Sequence, residues 1–139
     1  GFGGYAGHVN MGIKRDDYGY MVRARINCNY SAVTAACMMT KKSLFEQVGG
    51  FDEQFVVACN DVDYCLKIRE LDKWVIYNAF SEWYHYESKS RGYEDTPEKL
   101  KRFEGEVAKF QKKWPEILEK GDPFYNPNFP IDKAPFTLG

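Results

Sequence analysis

The sequence lacks a long apolar run, an excess of charge of either sign and any cysteine pair at redox or metal-binding spacing. Its 19 basic and 20 acidic residues leave a formal net charge of -1, so nucleic acid is not an expected partner. The apolar stretch around residues 35–39 is far shorter than the roughly 20 residues that cross a bilayer. No signal peptide is recognisable, and the sequence predicts no transmembrane segment.

The four cysteines stand apart from one another along the chain. Cys28, Cys37, Cys59 and Cys65 form no C-x-x-C pair, and three of them lie in apolar segments where a thiol packs as a small hydrophobic group. We therefore interpret them as reduced thiols in a cytoplasmic protein, which includes a protein at the cytoplasmic face of a membrane.

The length and composition predict one domain with an aromatic-rich core, because the 139 residues are 44% hydrophobic and 17% aromatic. The glycine-rich residues 1–27 predict a loop region, and the proline-rich residues 121–139 predict an extended tail over the surface. The first residue is Gly1 and not Met, which suggests a fragment of a longer protein.

The first half of the chain predicts a strand and two helices. Residues 31–40 are small, apolar and β-branched, which favours a buried strand. Residues 42–48 predict a short helix that the glycine pair at 49–50 ends. Asn60 is the expected N-cap of a second helix over residues 61–71.

The second half predicts a small sheet and a longer helix. Residues 74–77 and 80–86 have the composition of two strands of one sheet. Thr96 and Pro97 start the clearest helix, whose apolar residues recur at spacings of three and four: Leu100, Phe103, Val107, Phe110 and Trp114. Its acidic residues alternate with basic ones, which indicates a solvated face that includes Glu98, Glu104 and Glu106.

Two carboxylates at the start of the 61–71 helix are the first candidates for chemistry. Asp61 and Asp63 diverge by roughly 200° around a helix, so they cannot hold one ligand together. The helix dipole favours an ionised Asp61, which makes it a candidate general base. A capping carboxylate without chemistry explains the same residue. Asp63 is a candidate substrate-binding residue.

A histidine and a polar stretch form the second candidate region. His85 lies among three aromatic residues, where a lone histidine is more often a packed residue than a metal ligand. Ser90 and Arg91 suit a phosphate group, because a guanidinium and a hydroxyl both donate hydrogen bonds to phosphate oxygens. A flexible surface loop explains the presence of these two residues equally well.

Four blocks of sequence resemble, in order and spacing, the C-terminal half of a bacterial family 2 glycosyltransferase of GT-A fold. They are AVTAACMM at 32–39, VGGFDE at 48–53, NDVDYCL at 60–66 and HYESKSRG at 85–92. The resemblance extends from about residue 7 to about residue 130. Ala35 stands where the family usually has glycine.

The resemblance implies an α/β fold, namely a partial GT-A-like mixed sheet with flanking helices that lacks the N-terminal nucleotide-binding half. Asp61 would be the base that deprotonates a carbohydrate acceptor during inverting transfer from a nucleotide-sugar donor. His85 would complete a Mn²⁺ or Mg²⁺ site in the intact enzyme, and Arg91 would lie near the donor diphosphate. Residues 1–139 would then be the acceptor-side part of a catalytic domain, inactive alone.

Two further expectations follow from the missing half. The side of the sheet that this half normally covers should expose apolar surface, which favours self-association into a homo-oligomer.

The alternative function is a non-catalytic carbohydrate-binding or protein-interaction module, because ten Tyr, ten Phe and three Trp offer rings that stack on sugars or anchor interfaces. An Asp-x-Asp motif upstream in the parent protein would favour the enzyme.

Overall fold

The structure, a computed structural model, describes residues 5–86, 96–131 and 135–136. Over these residues it is a small mixed α/β fold with four helices and one two-stranded antiparallel sheet. The helices are α1 (Lys42–Gln47), α2 (Asn60–Glu70), α3 (Pro97–Lys113) and α4 (Pro115–Lys120), and the strands are β1 (Cys28–Asn29) and β2 (Ile76–Tyr77). The α/β class is confirmed at this level.

Helix α2 lies at the centre of the core, because buried side chains cover it on two sides. One cluster joins α2 to α3 and consists of Phe55, Cys59, Leu66 and Phe110. A second cluster joins α2 to the residue before β2 and consists of Tyr64, Cys65, Ile68 and Val75. Side chains of α1, including Phe45, pack against this second cluster. The position of α2 therefore depends on contacts along most of the described chain.

The predicted helices form close to their expected bounds. Helix α1 ends before Gly49 and Gly50, which have φ angles of 75° and 65°, and the Gly50 N–H donates to the Phe45 carbonyl. Helix α2 begins one residue earlier than predicted, so Cys59 takes the cap position and Asn60 is already helical. Such one-residue differences are usual at helix ends.

The prediction of a buried strand over residues 31–40 is wrong. The segment contains a 3₁₀ turn (Ala35–Cys37), and most of its side chains are exposed. The Thr34 hydroxyl accepts a hydrogen bond from the Ala36 N–H, and an Asp61 oxygen accepts one from the Ala35 N–H. Side-chain acceptors thus take the N–H groups that a strand would have paired, and the small side chains bury little apolar area.

The predicted sheet partner of residues 74–77 is also wrong. Strand β2 pairs with β1, in the register Cys28 to Tyr77 and Asn29 to Ile76. Residues 80–86 are not a strand, because Asn78 turns the chain: its side chain accepts from the Phe80 N–H, and its carbonyl accepts from the Ser81 N–H.

The longest helix begins as predicted, with the Thr96 hydroxyl accepting from the Lys99 N–H and Pro97 in the first turn. Its apolar face is buried at Phe110, whereas Leu100 near its start is 48% exposed. After α4 the described part of the tail forms turns, and its Tyr125 and Phe129 are buried.

A network of charged side chains joins α2, the end of α3 and the turn after α1. Asp63 is fully buried, and its Oδ1 accepts a hydrogen bond of 2.8 Å from Trp114 Nε1. The Lys113 ammonium lies 2.7 Å from the same oxygen and donates to Asp52 at 2.7 Å. Lys67 lies 3.6 Å from the other Asp63 oxygen.

The network shifts the pKa values of two of its members. Hydrogen bonds from Lys113 and then from Gln54 hold the pKa of Asp52 well below its usual range. Burial lowers the pKa of Lys113, but its hydrogen bonds to Asp52 and Asp63 outweigh burial and leave this pKa raised. The Lys113 and Asp52 side chains are therefore both charged at neutral pH.

Whether one side of the sheet exposes a continuous apolar surface stays a prediction, but several large apolar side chains are exposed. Large apolar side chains stand in solvent at Met39 (99% exposed), Phe80 (81%), Met11 (78%) and Trp83 (76%). Self-association stays a prediction. Among the described helices, none has the length and apolar character that crossing a membrane requires.

Alanine at Gly50 should destabilise the protein more than alanine at Gly49. Both glycines have positive φ, which costs an alanine about 1 kcal/mol. A Cβ at Gly50 would also lie 2.9 Å from two ring carbons of Phe45, whereas one at Gly49 would meet nothing within 4 Å. Urea unfolding should give Gly50→Ala a free energy of unfolding about 1 kcal/mol below that of Gly49→Ala. Equal losses would contradict the close approach.

Replacement of Lys113 by methionine should lower the free energy of unfolding by about 3 kcal/mol, because Asp63 would lose its nearest cation while remaining buried. Lys112→Met is the matched control, since Lys112 is exposed on the same helix turn. Urea unfolding at neutral pH measures both. A loss for Lys113→Met no larger than that of the control would show that the buried charge does not need this partner.

The stability should also fall in acid because of Asp52. Its pKa is lowered by folding, so its contribution is fully present above the ordinary aspartate pKa of about 3.9 and is lost as the pH falls below that value. Urea unfolding between about pH 2 and pH 7 should show a decline that is shallower in Asp52→Asn. Identical pH dependence in the two proteins would contradict the pKa shift.

Candidate functional site

Asp61 lies in the first turn of α2 with its carboxylate held by two backbone donors. Oδ2 accepts a hydrogen bond of 3.0 Å from the Ala35 N–H, and Oδ1 accepts one of 2.8 Å from the Val62 N–H. Asn60 supports the turn, because its side chain accepts from the Asp61 N–H at 2.7 Å. The Asp61 side chain is partly exposed. Each carboxylate oxygen retains a lone pair for a further donor.

The loop before α2 is held by a single buried carboxylate from α3. Glu106 is 3% exposed. Its Oε1 accepts from the Val56 N–H at 3.2 Å, and its Oε2 accepts from the Val57 and Ala58 N–H groups at 3.2 and 2.5 Å. Arg102 on the same helix lies 3.9 Å from Oε1. The prediction that Glu106 belongs to a solvated face is therefore wrong, since backbone donors replace water around it.

The residue between this loop and α2 has an unusual backbone conformation. Cys59 has φ 65° and ψ -1°, the left-handed region that side chains other than glycine seldom adopt. It directs the chain from the Glu106-bound loop into the helix that carries Asp61.

Asp61 and Asp63 face different surroundings, as their spacing on a helix predicts. Asp61 is open to solvent on one side, whereas Asp63 is enclosed by Lys113, Trp114 and Lys67. In the described chain the Asp63 carboxylate therefore serves the contact between α2 and α3. Its role in substrate binding stays a prediction.

His85 lies in the exposed aromatic segment after β2. Its neighbours Glu82 and Tyr84 both accept hydrogen bonds from Arg15, which ties this segment to the N-terminal loop region. Asp61 contacts the 3₁₀ turn at Ala35. That His85 and Asp61 face one cavity stays a prediction. Ser90 and Arg91 lie outside the described residues.

The two cysteines near Asp61 are buried, and all four cysteines are free thiols. Burial, reinforced by the charge of Asp61, raises the pKa of Cys59 to about 11. Burial likewise raises the pKa of Cys65 to about 11. Both thiols therefore stay protonated at neutral pH and pack as small hydrophobic groups, as predicted, while Cys37 is exposed.

The arrangement presents one oriented and accessible carboxylate at the start of a well-packed helix. Such a group can take a proton from a hydroxyl that comes within about 3 Å of it. Over the described residues, no three His, Cys, Asp or Glu side chains are grouped to hold a metal ion.

Two residues that matter to this site were missed in the sequence. Glu106 lies three residues after Phe103 and four before Phe110, within the apolar stripe of its helix, and that position was the available signal for a buried carboxylate. Lys113 gave no comparable signal, because it lies at the helix end among other lysines.

Comparison with known proteins gives two relatives. Over 139 residues the chain is 42% identical to the uncharacterized protein y4gI of Sinorhizobium fredii. The aligned region covers 99% of this chain and 15% of that protein. Over 135 residues it is 32% identical to the O-antigen biosynthesis protein RfbC of Myxococcus xanthus. That alignment covers 94% of this chain and 10% of RfbC. No family model and no solved structure gives a significant match. The chain is thus similar along nearly its whole length to about a sixth and a tenth of two much longer proteins.

Proposed function

We propose that this chain is the acceptor-binding, base-carrying part of an inverting glycosyltransferase of family 2 and GT-A type. The parent enzyme moves a sugar from a nucleotide-sugar donor to a hydroxyl of a carbohydrate acceptor. Its pathway is the synthesis of a cell-surface polysaccharide or glycoconjugate, a proposal supported by the similarity to a protein named for O-antigen biosynthesis.

The observation that carries the proposal is that the Asp61 carboxylate is held in place and still accessible. Backbone donors from Ala35 and Val62 fix both of its oxygens, yet the side chain remains open to solvent. A carboxylate that only capped the helix would need the second contact alone. The first contact comes from a separate segment of the chain, the 3₁₀ turn at Ala35, and fixes the second carboxylate oxygen.

In this reaction Asp61 accepts the proton of the acceptor hydroxyl as the oxygen attacks the anomeric carbon of the donor. The new carbon–oxygen bond forms on the face opposite the leaving group, and the nucleoside diphosphate departs with the electron pair of the broken bond. The configuration at the anomeric carbon is inverted. A positioned base of this kind contributes about 10²- to 10⁴-fold in rate.

We further propose that His85 supplies one ligand to a Mn²⁺ or Mg²⁺ ion in the parent enzyme. The imidazole is exposed. Since no three His, Cys, Asp or Glu side chains of the described residues are grouped to hold an ion, the proposal places the remaining ligands outside those residues. When bound, such an ion would supply Lewis-acid stabilisation of the negative charge on the diphosphate leaving group. Arg91 and Ser90 are proposed to contact that diphosphate, and Asp63 to support substrate binding.

A non-catalytic carbohydrate-binding module is the second candidate, favoured by a row of exposed rings after β2. Phe80 is 81% exposed, Trp83 76%, Tyr84 75% and Tyr86 72%. Exposed aromatic faces can stack on sugar rings. The two candidates differ in whether Asp61 is needed for turnover.

The substitution Asp61→Asn in the full-length protein should lower the transfer rate at least about 100-fold, because an amide cannot accept the proton. Binding of the nucleotide sugar should change little. The amide oxygen can still accept from the Ala35 N–H, while the NH₂ group replaces the acceptor of the Val62 N–H, so a melting curve of the variant checks that the fold is retained. Product formation from a panel of nucleotide sugars and nucleotide-sugar binding by calorimetry measure the two effects.

Glu70→Gln is the matched control for this test, because Glu70 is an exposed carboxylate on the same helix. It should transfer sugar at the wild-type rate. Turnover by Asp61→Asn close to that of the control would reject the base assignment. Glycan binding without any transfer by the wild-type protein would favour the binding module.

A further inference from the structure

We infer that Glu106 is the positioning residue for Asp61, acting through the loop that leads into α2. The inference rests on the proposed function. It states that a buried carboxylate on α3 orients the side chain of the proposed base on α2. Glu106 is 3% exposed, and its carboxylate accepts hydrogen bonds from the backbone of the loop that leads to Asp61, so its effect on Asp61 passes through that backbone.

The first step of the argument is that one side chain satisfies three successive backbone donors. The N–H groups of Val56, Val57 and Ala58 all point at the Glu106 carboxylate, at 3.2, 3.2 and 2.5 Å. Hydrogen bonds to a charged acceptor are stronger than those between neutral groups. The loop therefore has one favoured position relative to α3.

The second step concerns the strained residue that follows. Cys59 holds a left-handed conformation at φ 65°, although it carries a side chain. Such a conformation persists only where the surroundings over-determine it. The Glu106-bound loop constrains it on one side, and the cluster of Phe55, Leu66 and Phe110 encloses its side chain.

The third step is the short path from this turn to the base. Asp61 is three residues beyond Ala58, within the first turn of α2, and its Oδ2 reaches the Ala35 N–H at 3.0 Å. A change in the angle at which the chain enters α2 would turn the carboxylate away from that donor. Displacement of a reacting group by about 1 Å costs up to about 100-fold in rate.

Three variants of the full-length protein test the inference. Glu106→Gln keeps one oxygen to accept from the loop but places an NH₂ group against another donor, whereas Glu106→Ala removes all three hydrogen bonds. Glu104→Gln is the matched control, since Glu104 is exposed on the same helix. Each variant is assayed for kcat and for the donor KM, at a temperature well below its measured melting temperature.

The expected result is a fall in kcat of about tenfold for Glu106→Gln and more for Glu106→Ala, with donor KM unchanged. Amide hydrogen exchange over residues 55–61 should quicken in the same order. A merely structural role would lower the melting temperature without changing kcat of the folded protein. Should Glu106→Ala fail to fold, Glu106→Gln alone decides the question.

The outcomes separate the two claims. If the wild-type protein transfers sugar and Glu106→Gln has the kcat of Glu104→Gln, the positioning role is overturned while the proposed function stands. If the wild-type protein transfers no sugar from UDP-, GDP- or dTDP-linked donors, the proposed function fails and the positioning role fails with it. In that case the hydrogen-exchange result still reports whether Glu106 holds the loop.

Discussion

The ion pair between Asp63 and Lys113 is the contact on which the described fold depends most. A fully buried carboxylate without a cation costs several kcal/mol, so α2 and the end of α3 cannot separate without a large penalty. Lys113 also binds Asp52, which adds the turn after α1 to the same contact. Trp114 completes the set by donating its indole N–H to Asp63. The apolar clusters on both sides of α2 then pack around a helix whose position is already restricted.

The elements that the sequence predicted well are those with local signals. The helix stop at Gly49 and Gly50 and the start at Thr96 and Pro97 each depend on residues within one turn. The errors arose where a partner distant in sequence decides the backbone. Residues 31–40 have strand composition, but Asp61 takes one of their N–H groups, and β2 pairs with the distant β1. The turn at Asn78 that ends β2 was a local signal that was missed in the sequence.

The same distinction applies to the site. The place of Asp61 at a helix start was predictable because it follows a glycine turn and an asparagine, both local features. The burial of Asp63 and Glu106 was not, because each is satisfied by groups about 50 residues away in sequence. Asp61 and Asp63 therefore look alike in the sequence but differ in the structure. Asp61 faces solvent, whereas Asp63 joins α2 to α3.

These contacts and the relatives converge on one account. A buried framework of charges fixes α2, its first turn presents the Asp61 carboxylate, and the chain is similar over 94% of its length to a protein named for O-antigen biosynthesis. A structure of the full-length protein with a nucleotide sugar and an acceptor tests that account most directly. It should place an acceptor hydroxyl within about 3 Å of Asp61, facing the anomeric carbon. An acceptor bound far from Asp61, or a different carboxylate beside the reacting hydroxyl, would contradict it.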